Sequence, residues 1–435
     1  MVDLSERVAE SASHLATGCS TRRRSIAHSS AAVLCFLVVL VPTLYAMGLV
    51  YLRAYFWSQP YPYNSFLPIP SALADDFNGT QYEWVAHHFY GVSTGLVYFP
   101  ATYLPLQGFE AIFGSSIYPA RVLSAVAFLV VCIAAIGWLL HKQGWAVTAL
   151  GMMLFLISYP TLFALYTGNL ESWVGALLLV MTALHAKGRR MWAAAFLGYA
   201  VAMKGIPIAF LPVLWLNRSF RESLKITGTC VAVAFGSTLI ALVALPGGIL
   251  HGFGVIENLR ASQRLYANLL MFGIAGTHYG NSFLNGIHAF FGEKAMPSRQ
   301  WWLPVLLIGG ALFVVAVLYL LKAGAPLWMM LALSASAGCL LVPTSADYKL
   351  LYFIPAIVSL LSEARIARSW IPGAVLLCFI VTPKPWGLRP ADGDPFHLAS
   401  VYLTPLLMIL LCIWAVGWNW FQGHDRHRTQ MAVTV

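Results

Sequence analysis

Two adjacent carboxylates, Asp75 and Asp76, stand in a chain where charged residues are scarce. They belong to the segment ALADDFNGTQYEW at residues 72–84. An ionised carboxylate can act as a general base for an alcohol when it lies within hydrogen-bond reach of the hydroxyl, at a site shielded from bulk water. One aspartate suffices, and the second could bind a cation. Adjacent residues of an extended chain point to opposite faces, so a proton or a metal shared by the two is the less natural arrangement. The alternative is a pair of solvated loop charges.

Cations that could hold a phosphate occur at three places. Lys204, in AMKGIPIAF, ends an apolar run just before a glycine and a proline, and Lys349, in PTSADYKLLYF, has the same character. Arg260 and Arg264 are four residues apart and would share one face of a helix. A lysine at a helix end can simply extend to the membrane surface, or it can hold a phosphate as a point charge. The residues alone leave both interpretations open.

Polar and aromatic residues between the apolar runs are candidates for substrate contacts. The segments YTGNLES at 166–172 and HYGNSFLNG at 278–286 have the composition of ordinary turns and helix caps. Their side chains could alternatively contact a hydroxyl group of a substrate. The candidates are Tyr82, Asn169, Glu171, His278, Asn281 and Asp347.

The composition is that of a membrane protein. Hydrophobic residues make up 59% of the 435 residues and charged residues 10%, and the mean hydropathy is +0.74. Apolar runs of about 18 or more residues recur along the chain and predict spanning helices. A backbone in lipid must then be helical, because its polar groups find no water there. The net charge of +10 comes from basic residues in short loops, which indicates membrane topology and not nucleic-acid binding.

The cysteine pattern gives no sign of a metal centre. The seven cysteines form no CxxC pair, and most of them lie inside apolar runs, where they are typical small core residues. We therefore predict neither disulfides nor metal ligands among them, and we expect no cofactor.

The basic loops predict how the chain threads the membrane. Arg22, Arg23 and Arg24 precede the first apolar run, at 31–53, and place that side in the cytoplasm by the positive-inside rule. The remaining runs predict an all-α bundle of about twelve transmembrane helices. This domain covers residues 31–421, and all of the predicted cytoplasmic turns are basic, as the rule requires.

Two long loops and two tails complete the predicted organisation. Residues 1–30 and 422–435 form cytoplasmic tails, whereas the loops at 54–118 and 247–300 lie on the outer side of the membrane. Within the first loop, 101–113 is predicted to form an amphipathic helix at the interface.

The runs 191–204 and 206–216 are each shorter than the ~20 residues needed to span a bilayer. They are joined at Lys204 and Gly205. We interpret them as a broken hairpin whose tip lies at the outer face.

Six short motifs occur in the order seen in one known family. Over nearly its whole length, the chain resembles the multi-spanning GT-C glycosyltransferases of the actinobacterial mannosyltransferase and arabinofuranosyltransferase type, which include glycosyltransferase family 87. The motifs are Asp75-Asp76-Phe77, Tyr98-Phe99-Pro100, Gly168-Asn169, Lys204 to Pro207, Asn281-Ser282 and Ser345 to Tyr348.

The resemblance implies a donor, an acceptor and a reaction. The donor would be a polyprenyl-phosphate-linked sugar, with mannose expected first and arabinofuranose second. The acceptor would be a hydroxyl of a cell-envelope glycan or glycolipid at the outer face of the cytoplasmic membrane, and the transfer would invert the anomeric carbon. Asp76 would be the base in preference to Asp75, and the cations named above would hold the phosphate.

Two other classes of membrane protein predict different sequence features. A secondary transporter or a lipid-linked-sugar flippase predicts internal repeats and ionisable residues near the bilayer midplane, and the sequence shows neither. A non-catalytic membrane scaffold would need no group of polar residues on the outer face, and the sequence alone does not exclude it.

Overall fold

The structure of the protein is a computed structural model. It describes residues 30–49, 52, 98–114, 116–244, 254, 256–265, 280–291, 299–342, 345, 347–363, 367–384 and 399–433. Every regular element in these ranges is helical, which confirms the predicted all-α class.

Fifteen α-helices lie within the described ranges and position the side chains. They are α1 (Ser30–Leu49), α2 (Tyr103–Phe113), α3 (Ile117–Leu140), α4 (Trp145–Ile157), α5 (Tyr159–Thr167), α6 (Glu171–Ala186), α7 (Arg190–Met203), α8 (Phe220–Ala244), α9 (256–265), α10 (Phe283–Phe291), α11 (Arg299–Ala323), α12 (Leu327–Leu340), α13 (Ile354–Ser362), α14 (Ile371–Ile380) and α15 (Ala399–Val433). Short 3-10 helices cover Pro100–Thr102, His141–Gln143, Ile206–Trp215, Asp347–Phe353 and Arg368–Trp370.

Five of the described helices are long and apolar enough to cross a membrane: α1, α3, α8, α11 and α15. The pair α4 and α5, bent by 50°, would make a sixth span. Four shorter apolar elements, including α6 and α12, lie between them. The chain is therefore an all-α membrane protein, and the number of about twelve spans stays a prediction.

Short helices form the inside of the bundle and long helices form its outside. Every residue of α12 from Trp328 to Cys339 is buried, and most of α6 is buried as well. The long helices instead expose large apolar side chains, such as Val130 of α3 and Leu312 of α11. Exposed apolar surface of this extent is what a helix facing lipid presents.

Breaks in the helices position the polar side chains. Helix α5 ends at Gly168, whose φ of 67° is the left-handed conformation that glycine adopts most easily. Helix α7 ends at Met203, and Lys204 is extended before the 3-10 helix Ile206–Trp215 begins. That 3-10 helix contains Pro207 and Pro212, which lack the N–H that a regular helix would use. The break predicted at Lys204 is therefore confirmed.

Three of the basic turns meet at one end of the bundle. The Nζ of Lys187 lies 3.4 Å from Nδ1 of His141, and Arg190 forms a 3.0 Å ion pair with Glu222. Helix α6 has 16 residues, so its carboxyl end is about 24 Å from Glu171 at its amino end. The basic turns and Glu171 therefore lie at opposite ends of this helix.

Candidate active site

The segment after Tyr98 is attached to the carboxyl end of α7. The Phe99 amide donates to the Met203 carbonyl at 3.1 Å, and the Thr102 hydroxyl donates to the same oxygen at 2.7 Å. The last carbonyls of a helix have no partner within it, so these bonds complete the end of α7. They also hold Tyr98, which precedes Phe99, beside Lys204, which follows Met203.

Tyr98 also orders the turn before α6. Its hydroxyl donates to Oδ1 of Asn169 at 2.6 Å, and the same oxygen accepts the backbone N–H of Glu171 at 2.9 Å. The left-handed Gly168 precedes this turn. Asn169 therefore fixes the position of Glu171 at the start of α6.

Glu171 has a partner for each of its carboxylate oxygens. Lys204 forms an ion pair with Oε2, and the hydroxyl of Tyr352 donates to Oε1. The Glu171 side chain is 0% exposed and that of Lys204 is 16% exposed. A buried ion pair is stable only when further hydrogen bonds replace the lost water, and Tyr352 supplies one here.

Two aromatic rings and a second lysine surround Lys204. Its Nζ lies 4.6 Å from the ring centre of Tyr98 and 5.6 Å from that of Tyr348, both within the range of cation–π attraction. Lys349 is buried, and its charge acts on both Lys204 and Glu171. Desolvation and the charge of Lys204 lower the pKa of Lys349 to about 7, against the attraction of Glu171, so an anion bound beside the two lysines would favour the charged form of Lys349.

A second polar group forms around Asp347. Its Oδ2 accepts the hydroxyl of Tyr159, and its Oδ1 accepts Nδ2 of Asn281 at 2.7 Å. The backbone N–H of Asn281 donates to the Ser345 carbonyl at 2.6 Å. Oδ1 of Asn281 is buried and has no hydrogen-bond partner among the described residues, so it is an acceptor that a hydroxyl donor could reach.

Lys384 completes this second group. Its side chain is buried, and Nζ donates to the carbonyls of Ile380 at 3.2 Å and Thr382 at 2.9 Å. Burial lowers the pKa of Lys384 to about 7, although the nearby Asp347 opposes this change. Burial also raises the pKa of the Asp347 carboxyl, against the hydrogen bonds from Tyr159 and Asn281.

One short helix carries residues of both groups. Asp347, Tyr348 and Lys349 begin the 3-10 helix Asp347–Phe353, with Asp347 in one group and Lys349 in the other. The ring of Tyr348 stacks on Phe163 of α5 at 6.3 Å between ring centres. The two groups therefore form one continuous candidate site at the amino end of α6.

The structure brings six of the predicted site residues together: Asn169, Glu171, Lys204, Asn281, Asp347 and Lys349. Arg260 and Arg264 lie exposed on α9, and Leu259 of that helix packs in the same apolar cluster as Tyr98. Within the described ranges, neither a hydrogen bond nor an ion pair joins either arginine to Lys204. Asp75, Asp76, Tyr82 and His278 lie outside the described residues.

Sequence reasoning missed three members of the site: Tyr159, Tyr352 and Lys384. The two tyrosines lie in apolar segments, where a tyrosine has the pattern of a core residue. Lys384 could have been found, because it ends an apolar run directly before Pro385, much as Lys204 does before Gly205 and Pro207.

Comparison with known proteins gives a family match. The model of glycosyltransferase family 87 matches residues 88–343, which is more than half of the chain and includes Asn169, Glu171, Lys204 and Asn281. No curated protein matches the chain.

Proposed function

The chain belongs to glycosyltransferase family 87, and from this premise we propose that it moves a sugar from a polyprenyl phosphate to a hydroxyl of a cell-envelope glycan or glycolipid. Mannose is the first sugar that we propose, and arabinofuranose is the second. The reaction is a hexosyl or pentosyl transfer with inversion at the anomeric carbon. It takes place at the outer face of the cytoplasmic membrane, which the chain crosses several times.

The placement of Lys204, a cation paired with a buried carboxylate and close enough to Lys349 for the two to influence each other, is the observation that supports this donor best. A polyprenyl phosphate ends in an anionic group at the membrane surface, and a buried cation binds such a group more strongly than an exposed one does. Lys204 has three N–H donors, so its ion pair with Glu171 leaves donors for a phosphate oxygen. Lys349, whose pKa is lowered to about 7 chiefly by desolvation, becomes a second positive charge when an anion favours its protonated form.

The proposed reaction assigns separate roles to acid and cations. The acceptor oxygen attacks the anomeric carbon while the bond from that carbon to the phosphate oxygen breaks. Asp76 takes the acceptor proton as general base. The phosphate leaves with an additional negative charge, which Lys204 and Lys349 stabilise.

The second polar group provides contacts for the sugar. Oδ1 of Asn281 is a buried acceptor with no partner in the part of the chain that the structure describes, and a sugar hydroxyl would satisfy it. Leaving such an atom unpaired costs roughly 1–3 kcal/mol, so a substrate that fills this need gains affinity. Asp347 orients Asn281 by accepting its Nδ2, which turns Oδ1 away from the carboxylate.

A transfer assay tests the proposed donor. Membranes that contain the purified full chain receive synthetic polyprenyl-phosphate mannose and polyprenyl-phosphate arabinofuranose in parallel, and membranes without the protein serve as the control. We expect release of polyprenyl phosphate that depends on the chain and on an acceptor. If neither donor is consumed while a nucleotide sugar is, the proposed donor class is wrong.

The side of the membrane is tested separately. An Asn78→Cys variant, made in a background without the native cysteines, is treated in whole cells with a thiol reagent that does not cross the membrane. Labelling from outside is expected, because the loop at 54–118 is proposed to lie there. Labelling only after the cells are opened would contradict the proposed location of the active site.

A further inference from the structure

A group of cations joins α6, α7 and α8 at the end of the bundle away from the candidate site. Lys187 follows α6, Arg190 begins α7, and Arg218 lies two residues before α8. The charge of Arg190 acts on Arg218, and the charges of both act on His185 near the end of α6. Glu222, in the first turn of α8, pairs with Arg190 at 3.0 Å.

This group holds more positive charge than its described carboxylate balances. Desolvation, followed by the charge of Arg190, lowers the pKa of Arg218, and Glu222 offsets this only in part. Desolvation and the charge of Lys142 lower the pKa of Lys187. Cations that repel each other in this way are stabilised by an anion placed between them.

Several polar atoms in the same place lack a partner. His185 is 8% exposed, and its Nδ1 has no hydrogen-bond partner within the described ranges. The Nε atoms of Arg190 and Arg218 are buried and likewise have no partner among the described residues. The positive-inside rule accounts for basic residues in cytoplasmic loops, but it does not account for buried donors that remain unpaired.

The backbone adds to the positive field at this place. Helices α7 and α8 both begin here, and their first turns are joined by the Arg190–Glu222 ion pair. The amino end of a helix carries N–H groups that have no partner within the helix, and a partial positive charge; in α8 the Ser219 hydroxyl oxygen accepts one of them, from Glu222, at 3.3 Å. Two such ends beside three cationic side chains favour a phosphate.

Large apolar side chains flank the cations and face outward. Trp192, near the start of α7, is 65% exposed, and Phe220, at the start of α8, is 82% exposed. Trp145 begins α4, beside the His141–Gln143 turn that Lys187 contacts, and it is 85% exposed. Tryptophan next to cations is typical of the depth where acyl chains meet headgroups.

We propose that Lys187, Arg190 and Arg218 bind the phosphate of an anionic phospholipid, with His185 beneath them and the acyl chains against Trp192 and Phe220. The lipid is a structural ligand that ties α6, α7 and α8 together. This site is separate from the candidate active site, because α6 holds the two about 24 Å apart.

Lipid retention by the purified full chain tests the proposal. Native mass spectrometry would compare phosphatidylglycerol with phosphatidylcholine at equal concentration, and melting in detergent would compare phosphatidylglycerol with inorganic phosphate. We expect phosphatidylglycerol to be retained preferentially and to raise the Tm more than inorganic phosphate does. Equal retention of phosphatidylcholine, or an equal Tm rise with inorganic phosphate, would overturn the assignment to an anionic lipid.

Variants locate the bound lipid. Arg218→Gln should lower retention of phosphatidylglycerol about tenfold, as expected for one lost charged hydrogen bond, and Lys322→Gln, at the exposed end of α11, should not change it. Glu222→Gln removes the carboxylate that competes with the lipid phosphate for Arg190, so it should raise retention of phosphatidylglycerol. The proposal therefore expects one variant to bind more lipid and another to bind less. If all three variants retain the lipid equally, the proposed site is wrong.

Discussion

Glu171 and Lys204 form an ion pair between the first residue of α6 and the residue that follows α7. The pair joins two helix ends at a place where α7 stops and the chain becomes extended. Tyr352, which is 181 residues further along the chain than Glu171, binds the same carboxylate. The ion pair therefore fixes three parts of the chain around the proposed phosphate position.

Replacing Lys204 by Met should impair both stability and donor use. The change leaves Glu171 as a buried charge without its partner, which costs about 3–5 kcal/mol. It also removes a charged hydrogen bond to the phosphate, which costs roughly 1.5–3 kcal/mol in kcat/KM for the donor. Melting in detergent and a donor titration would measure the two effects.

The double variant Lys204→Met with Glu171→Gln separates these effects. It removes both charges, so most of the lost stability should return, while kcat/KM for the donor stays low. If the double variant regains wild-type kcat/KM, Lys204 holds the fold together and does not bind the phosphate.

The parts of this site differ in how far the sequence predicts them. Glu171 and Lys204 were found because each breaks an apolar pattern beside a glycine, which is a local signal. Their pairing was not predictable, because a contact between residues 33 positions apart depends on how α6 and α7 pack. Tyr352 gave no signal at all, since a tyrosine within an apolar run fits a membrane core equally well.

The stability of the protein should depend on pH through Lys384. The pKa of Lys384 is about 7 in the folded protein, whereas an unfolded lysine has a pKa of about 10.4. Between these values the unfolded chain binds more protons, so the free energy of unfolding rises with pH, by at most about 1.4 kcal/mol per pH unit. Below pH 7 both states are protonated and this dependence ends.

A Lys384→Met variant should lose this dependence. The difference in Tm between the wild type and the variant is measured in detergent at pH 7.5 and at pH 9.5, with all other titrating groups common to both proteins. We expect wild-type Tm to increase relative to that of the variant as the pH rises. A difference that stays constant would mean that Lys384 keeps an ordinary pKa.

Gly198 allows α7 and α8 to approach each other closely. A Cβ at this position would collide with the backbone carbonyl oxygen of Cys230 on α8, and a backbone atom cannot move aside as a side chain can. Gly198→Ala should therefore lower stability by about 1–3 kcal/mol. Gly236→Ala on α8 is the matched control, because a Cβ there meets nothing within 4 Å.

The two glycine variants are compared by melting in detergent. Since alanine favours a helix by about 1 kcal/mol over glycine, Gly236→Ala should be neutral or slightly stabilising. Equal Tm values for both variants would show that α7 and α8 are not packed as closely as described. Such close helix contacts at small residues are not predictable from one sequence, because glycine is common in membrane helices for other reasons.

The all-α class and the helix break at Lys204 followed from hydrophobic run lengths and from Gly and Pro positions, which are properties of short segments. The arrangement of short helices inside long ones did not follow, because α12 is as apolar as the helices that face lipid. Arg260 and Arg264 illustrate the same limit. Their spacing correctly predicted that the two arginines share a helix. It could not predict whether they lie beside Lys204, because that depends on how the helix packs.

The turnover of Asp76→Asn in transfer from the polyprenyl-phosphate sugar tests the central proposal most directly. The amide keeps the shape of the carboxylate but cannot accept the acceptor proton at neutral pH, and loss of a general base costs about 10²–10⁴ in rate. We expect that loss with donor binding nearly unchanged, and a milder effect for Asp75→Asn, which serves as the matched control. If Asp76→Asn retains more than roughly a tenth of wild-type turnover, the loss is too small for removal of a general base. That result would contradict the proposed mechanism.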